Sequence, residues 1–233
     1  MSQKQSQLVF AAPKRVTVPV FGQLNAFAVR RIYCVGRNYV DHIREMGGDE
    51  REPPFFFQKP ADAIVLDGTS VSYPSLTNDF QYEVELVLAI GVGGVNIPRE
   101  KAATHVYGVA VGIDLTRRDV QVAARKSGRP WEIGKSFDHS APCGAIHPLM
   151  GNPLPRSGCI ELKVNQNSKQ RADLSQMIWS ADEIVSKLSE QYQLECGDLI
   201  YTGTPAGVGS LLAGDRIHAQ IEAIGNLTIS IVS

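Results

Sequence analysis

Phe80-Gln-Tyr-Glu-Val-Glu-Leu-Val-Leu-Ala-Ile90 is the stretch on which the reading of the chain turns. From Val84 onward it has the composition of a strand, and Gly91 and Gly93-Gly94 close it. Two carboxylates, Glu83 and Glu85, sit inside this apolar run. Side chains alternate along a strand, so Glu83 and Glu85 project from one face while Val84 and Leu86 take the other. Like charges that close repel, and burying them unpaired forces either protonation or a compensating positive group. A divalent cation is the simplest such group. The competing reading is a solvent-facing pair with both carboxylates in water.

The next strand-like run, Val106-Tyr-Gly-Val-Ala-Val-Gly-Ile113, weighs against water. It is too apolar for an exposed edge, and it delivers Asp114 at its end. Glu83, Glu85 and Asp114 are then three oxygen donors on two buried strands. Such a set favours a hard cation, Mg²⁺, Mn²⁺ or Ca²⁺, over Zn²⁺.

The 233 residues are 43% hydrophobic and 20% charged, enough for one well-buried core. We expect a short N-terminal appendage over residues 1–26 and a single catalytic domain over 27–233. A net charge of −1 gives no electrostatic argument for nucleic acid or an anionic membrane as partner. No run approaches the ~20 apolar residues of a membrane span. The start, Met1-Ser-Gln-Lys-Gln-Ser-Gln, lacks the apolar centre of a signal peptide, so a cytoplasmic location is expected. Cys34, Cys143, Cys159 and Cys196 form no Cys-x-x-Cys pair and are expected to be reduced core residues.

Other signals are individually modest. Gly36-Arg-Asn-Tyr39 turns into a helix expected from Val40 to Met46, where His42 and Glu45 are neighbours on one face. A surface His–Glu pair is the commoner meaning of that spacing, although the polar loop that follows suits a lid. Pro53 to Pro60 is an aromatic strand ending in Lys59. A helix from Leu115 to Lys126, capped at Thr116, brings Arg118 and Gln121 together, and a long loop from Ser127 to Asp138 carries Lys135 between Trp131 and Phe137. A further helix is expected from Ser180 to Gln191. Thr202-Gly-Thr-Pro-Ala-Gly-Val-Gly209 lacks the Gly-Lys-Ser/Thr ending of a phosphate loop and reads as a tight turn, with Thr204 able to present a hydroxyl. His105, His139, His147 and His218 have no ligand-like spacing. Strands outnumber helices without βαβ alternation, so the expected fold is mainly β or α+β.

Together these motifs are specific. Gly36-Arg-Asn-Tyr-x-x-His42-x-x-Glu45, Glu83-x-Glu85, Gly112-Ile-Asp114-x-x-x-Arg118-Asp-x-Gln121, Lys135-Ser-Phe-Asp138 and Thr202-Gly-Thr-Pro205 occur in that order. In this they resemble the fumarylacetoacetate hydrolase family, above all its small acylpyruvase and fumarylpyruvate hydrolase members, over residues 30–231. The resemblance implies a mixed β-sandwich roll, a homodimer, and Mg²⁺ or Mn²⁺ held by Glu83, Glu85 and Asp114. It further implies that Arg118, Gln121 and Lys135 polarise substrate oxygens, that His42 and Glu45 activate water, and that Arg37 and Thr204 bind substrate carboxylate or carbonyl groups. The implied reaction is hydrolytic cleavage of a 3-acylpyruvate, with fumarylpyruvate the favoured 2-oxo acid. Decarboxylation or tautomerisation of oxaloacetate is the alternative on the same metal site, and a non-enzymatic binding protein is a third.

Overall fold

The computed structural model describes residues 8–39 and 52–233. The helix expected over Val40–Met46, with His42 and Glu45, lies outside the described residues.

The strand Val84–Ile90 is buried along its whole length because it sits in the middle of an eight-stranded mixed sheet. It pairs antiparallel with Val106–Ile113 on one side and with Leu199–Tyr201 on the other. Outward from Leu199–Tyr201 come Ile32–Val35 and the edge strand Phe56–Lys59; beyond Val106–Ile113 lie Ala141–Cys143 and Ile64–Leu66. A five-stranded sheet, in the order Asn167–Asp173, Cys159–Val164, Arg216–Ile221, Gly225–Val232, Ser70–Ser72, packs against it. Its central strands alternate buried and open positions, as a sheet covered on one face must. The fold is therefore mainly β, as the strand-rich sequence indicates.

Alternation divides the large sheet into two unlike faces. Val84, Leu86, Leu88, Ile90, Val109, Val111 and Ile113 face the smaller sheet and share a core with Ile160, Leu162, Ile217, Ala219, Leu227 and Ile229. Val87, Ala89 and Ala110 point the other way, into a second core with Ile32, Cys34, Leu199 and Tyr201. The hairpin of Thr17–Pro19 and Ala26–Ala28 covers that second core with Val18 and Phe27. Burial of such side chains contributes roughly 1.5–3 kcal/mol each. Glu83, Glu85 and Asp114 have the parity of the second face.

Two local expectations need adjustment. The segment after Asp114 is not helical from Leu115: Thr116–Arg117 is a short strand paired with Phe80–Tyr82, and the helix runs Arg118–Lys126. Thr116 caps nothing, since its hydroxyl donates to the Asp114 carbonyl at 3.2 Å and accepts from Lys135 at 2.6 Å. Lys135 is not on an open loop either, but ends a one-turn helix, Glu132–Lys135. The helix expected from Ser180 runs Ala181–Gln191, with Glu183 accepting from the Ser180 N–H at 3.0 Å. Cys34 and Cys143 are buried thiols, whereas Cys196 is exposed because the Glu195-Cys-Gly197 turn leads the chain back into the sheet.

Candidate metal centre and active site

The antiparallel register fixes the acids. Val84 faces Ile113 and Glu85 faces Gly112, so Glu83 falls opposite Asp114, and the Asp114 N–H donates to the Glu83 carbonyl at 2.8 Å. Gly112 is small for a reason: a Cβ there would lie 2.4 Å from Val87 and 2.6 Å from the Tyr201 ring. Glu83, Glu85 and Asp114 are all buried, and each brings a carboxylate oxygen within 4.8 Å of the other two.

Positive groups converge on two of the three acids. Lys135 Nζ donates to Glu83 Oε2 and to Asp114 Oδ2, both at 2.7 Å. Burial works against the Lys135 charge, but Asp114 and Glu83 more than offset it and hold the ammonium above its ordinary range. Arg118 donates to Glu83 Oε1, to Gln121 Oε1 at 2.7 Å and to Gln81 Oε1 at 2.7 Å. Lys59 Nζ, fully buried, lies 2.8 Å from Asp114 Oδ1 and donates to the carbonyls of Leu115 and Lys135.

Glu85 is treated differently. Its Oε2 accepts the Gly203 N–H at 2.6 Å. Burial, reinforced by the charges of Asp114 and Glu83, pushes its carboxyl well above the usual range. Among the described residues Asp114 Oδ1 accepts no hydrogen bond, although the Lys59 ammonium lies 2.8 Å from it. Three close buried carboxylates, one of them burdened by its neighbours' charges and one with an oxygen held by an ion pair alone, fit a hard divalent cation. Glu83, Glu85 and Asp114 are the residues that would hold it.

Of the residues singled out from the sequence, the fold brings Glu83, Glu85, Asp114, Arg118, Gln121 and Lys135 into one buried cluster. Thr204 follows Gly203, and its hydroxyl accepts from Gln170 Nε2 at 2.8 Å. Arg37 is half-buried on the turn after Ile32–Val35, where burial and the nearby Arg125 lower its pKa. Among the described residues it makes no hydrogen bond to the acids.

Sequence reading passed over four supporting residues. Lys59 carries the same signal as Glu83, a charge on an apolar strand, with Phe57 two positions earlier. Thr116 has the sequence position of a helix cap, and nothing local marks it as an acceptor for Lys135. Asn38 donates to the carbonyls of Trp179 and Thr202 at 2.9 and 2.8 Å and accepts from the Trp179 N–H at 2.7 Å. Gln170 accepts from the Val84 N–H at 2.9 Å and donates to Thr204 and Pro205, tying the 202–205 turn to the acid strand. Neither amide stands in a pattern that spacing alone would single out.

Fold and site thus define a class: a β-rich enzyme scaffold whose main sheet carries three buried carboxylates able to hold a cation. The profile of the fumarylacetoacetate (FAA) hydrolase C-terminal domain matches residues 31–232, and the chain belongs to that family of hydrolases acting on carbon–carbon bonds. It is 42% identical over 180 residues to a fumarylpyruvate hydrolase of Ralstonia sp., covering 77% of this chain and 93% of that one. To the mitochondrial oxaloacetate tautomerase of Mus musculus it is 39% identical over 202 residues, covering 87% and 91%. The crystal structure of fumarylpyruvate hydrolase from Pseudomonas aeruginosa, in complex with Mn²⁺ and pyruvate, superposes with a TM-score of 0.94 at 50% identity, over 97% of this chain and 99% of that one.

Proposed function

We propose that this protein is a divalent-cation-dependent hydrolase of 3-acylpyruvates, with fumarylpyruvate cleaved to fumarate and pyruvate. The observation that carries the reading is the convergence of Lys135, Arg118 and Gln121 on the cluster of Glu83, Glu85 and Asp114. The likeness to fumarylpyruvate hydrolases at 42% and 50% identity supports the substrate.

Mg²⁺ or Mn²⁺ held by the three acids would supply Lewis acidity towards the 2-oxo acid end of the substrate. The remaining chemistry falls to side chains. Arg118 fixes the Gln121 oxygen as an acceptor, which turns the Gln121 amide N–H₂ towards the substrate as a donor. His42, oriented by Glu45, takes a proton from water, and the oxygen so activated adds to the acyl carbonyl. Gln121 donates to the tetrahedral oxyanion that forms, and Lys135 joins it by giving up one of its three present hydrogen bonds, to Glu83, Asp114 or Thr116. Its collapse breaks the carbon–carbon bond, releasing the acyl group as a carboxylate while the electron pair leaves with pyruvate as its enolate. The proton on His42 returns to the enolate carbon. Arg37 and Thr204 take the carboxylate and carbonyl groups remote from the bond that breaks. The protein acts as a cytoplasmic homodimer.

The test is product analysis with Mn²⁺: equal amounts of fumarate and pyruvate from fumarylpyruvate, abolished in Asp114→Asn. Absence of cleavage by metal-loaded wild type contradicts the reading. The likeness to oxaloacetate tautomerases favours one second reading, enolisation of oxaloacetate at the same centre. That reaction needs no attacking water, so oxaloacetate turnover surviving in His42→Ala is its signature.

A further inference from the structure

Phe55, Phe57 and Lys59 lie on one side of the edge strand Phe56–Lys59 and its preceding residue, because alternate positions share a face. Phe57 stands opposite Cys34 and Lys59 opposite Ile32, which places the row on the face that carries the acids. Lys59 reaches Asp114, at the inner end. Phe57 comes next, with Lys135 Nζ 5.4 Å from its ring centroid. Phe55 is outermost and 39% exposed. Trp131 closes over the row, edge-on to Phe55 at 5.1 Å and tilted against Phe57 at 6.1 Å. Trp131 and Lys135 are the two ends of one helical turn, joined by the Lys135 N–H donating to the Trp131 carbonyl at 2.9 Å.

A cavity of about 680 Å³ opens along this edge strand, lined by the rings of Phe55, Phe57 and Trp131 and by the polar Gln58, Lys59 and Glu132. That is the size of a small-molecule site, and Phe57, one of its ring walls, is also the ring that Lys135 Nζ approaches from the acid cluster. Aromatic surface left open beside a buried charged centre is unfavourable in water and gains by covering an apolar group.

We propose that Phe55, Phe57 and Trp131 form the acyl subsite, which selects a flat, conjugated acyl chain over a saturated chain of the same length. The assignment rests on the acylpyruvate reading above. With the 2-oxo acid end at the acid cluster, the acyl chain runs past Lys135 and along the rings. A planar unsaturated chain stacks on them over its length, whereas a saturated chain puckers out of contact.

The test compares kcat/KM for fumarylpyruvate and succinylpyruvate in wild type, Phe55→Ala and Trp131→Leu, each loaded with Mn²⁺. The ratio of the two substrates is expected to fall about three- to tenfold in both variants, the loss carried by KM for fumarylpyruvate. An unchanged ratio, whether both activities fall together or neither falls, overturns the subsite and leaves the acylpyruvate reading intact. A wild type that cleaves neither substrate overturns that reading instead. Fluorescence then decides the subsite without turnover, by titration with fumarate and with succinate. Saturable quenching by fumarate alone, lost in Trp131→Leu while Trp179 remains, supports it; equal or absent quenching overturns it.

Discussion

Glu83 and Asp114 face each other across two antiparallel strands, and a single ammonium, that of Lys135, donates to both carboxylates at 2.7 Å. Glu85, two residues from Glu83 on the same face, receives a backbone N–H instead. The centre is thus balanced on one side and loaded with repulsion on the other. Its consequences are measurable with and without a cation.

Glu85→Gln removes the repelling charge. A carboxyl whose pKa is higher in the folded than in the unfolded chain keeps its proton longer when folded, so stability is lost as pH rises from the ordinary value near 4.5 through the raised one. In EDTA the variant should melt above wild type, by about 2–4 °C for each 1 kcal/mol relieved. The gap should widen as pH rises through that window and then level off. Saturating Mn²⁺ should raise the melting temperature of wild type much more than that of the variant. A gap independent of pH contradicts this account of Glu85.

Lys59→Met leaves Asp114 Oδ1 without its adjacent charge and the Lys135 carbonyl without a donor. Breaking a buried pair in this way costs about 3–5 kcal/mol. Urea denaturation of the metal-free protein should show that loss, with an unchanged m-value. A loss below about 1 kcal/mol would mean that water replaces the ammonium freely.

Asn38→Ala deletes three hydrogen bonds that hold the 36–39 turn to Trp179 and Thr202. Each buried group left unpaired costs about 1–3 kcal/mol. Because Gly203 follows Thr202 and donates to Glu85, weaker Mn²⁺ binding should accompany the lost stability, by about 10–100-fold if it acts as an outer-shell partner does. Calorimetric titration with Mn²⁺ checks this; unchanged affinity would confine Asn38 to folding.

Gly36→Ala probes the aromatic row without altering an aromatic residue. The new Cβ would fall 1.9 Å from the Phe55 ring, so the ring has to move. The preference for fumarylpyruvate over succinylpyruvate should drop as in Phe55→Ala, with about 1–3 kcal/mol of stability lost to the displacement. Retained preference would mean that Phe55 contributes nothing in its present position.

How far the sequence foretells this centre depends on the range of each interaction. Glu83, Glu85 and Asp114 are legible because period-two alternation and burial are local: charges in apolar strands have to point at something. The large sheet's partners are not, since Leu199–Tyr201 from one end of the chain pairs with Val84–Ile90 on one edge and with Ile32–Val35, from the other end, on its other edge, and only packing selects them. The same holds for Asn38 and Gln170, whose roles rest on contacts 86 to 164 residues away. Thr116 is instructive. Its hydroxyl suggested a helix cap, but pairing with Gln81 and the bond from Lys135 outweigh local propensity. The order of the motifs carries the family, while the aromatic subsite needs the register between Phe57 and Cys34 before it can be seen.

The most direct test of hydrolysis is cleavage of fumarylpyruvate by the Mn²⁺-loaded protein in water labelled with heavy oxygen. The account predicts one labelled oxygen in the carboxylate of the released fumarate and none acquired during cleavage by pyruvate, with no reaction in EDTA. Loss of substrate without labelled fumarate, or cleavage undiminished in EDTA, would contradict it.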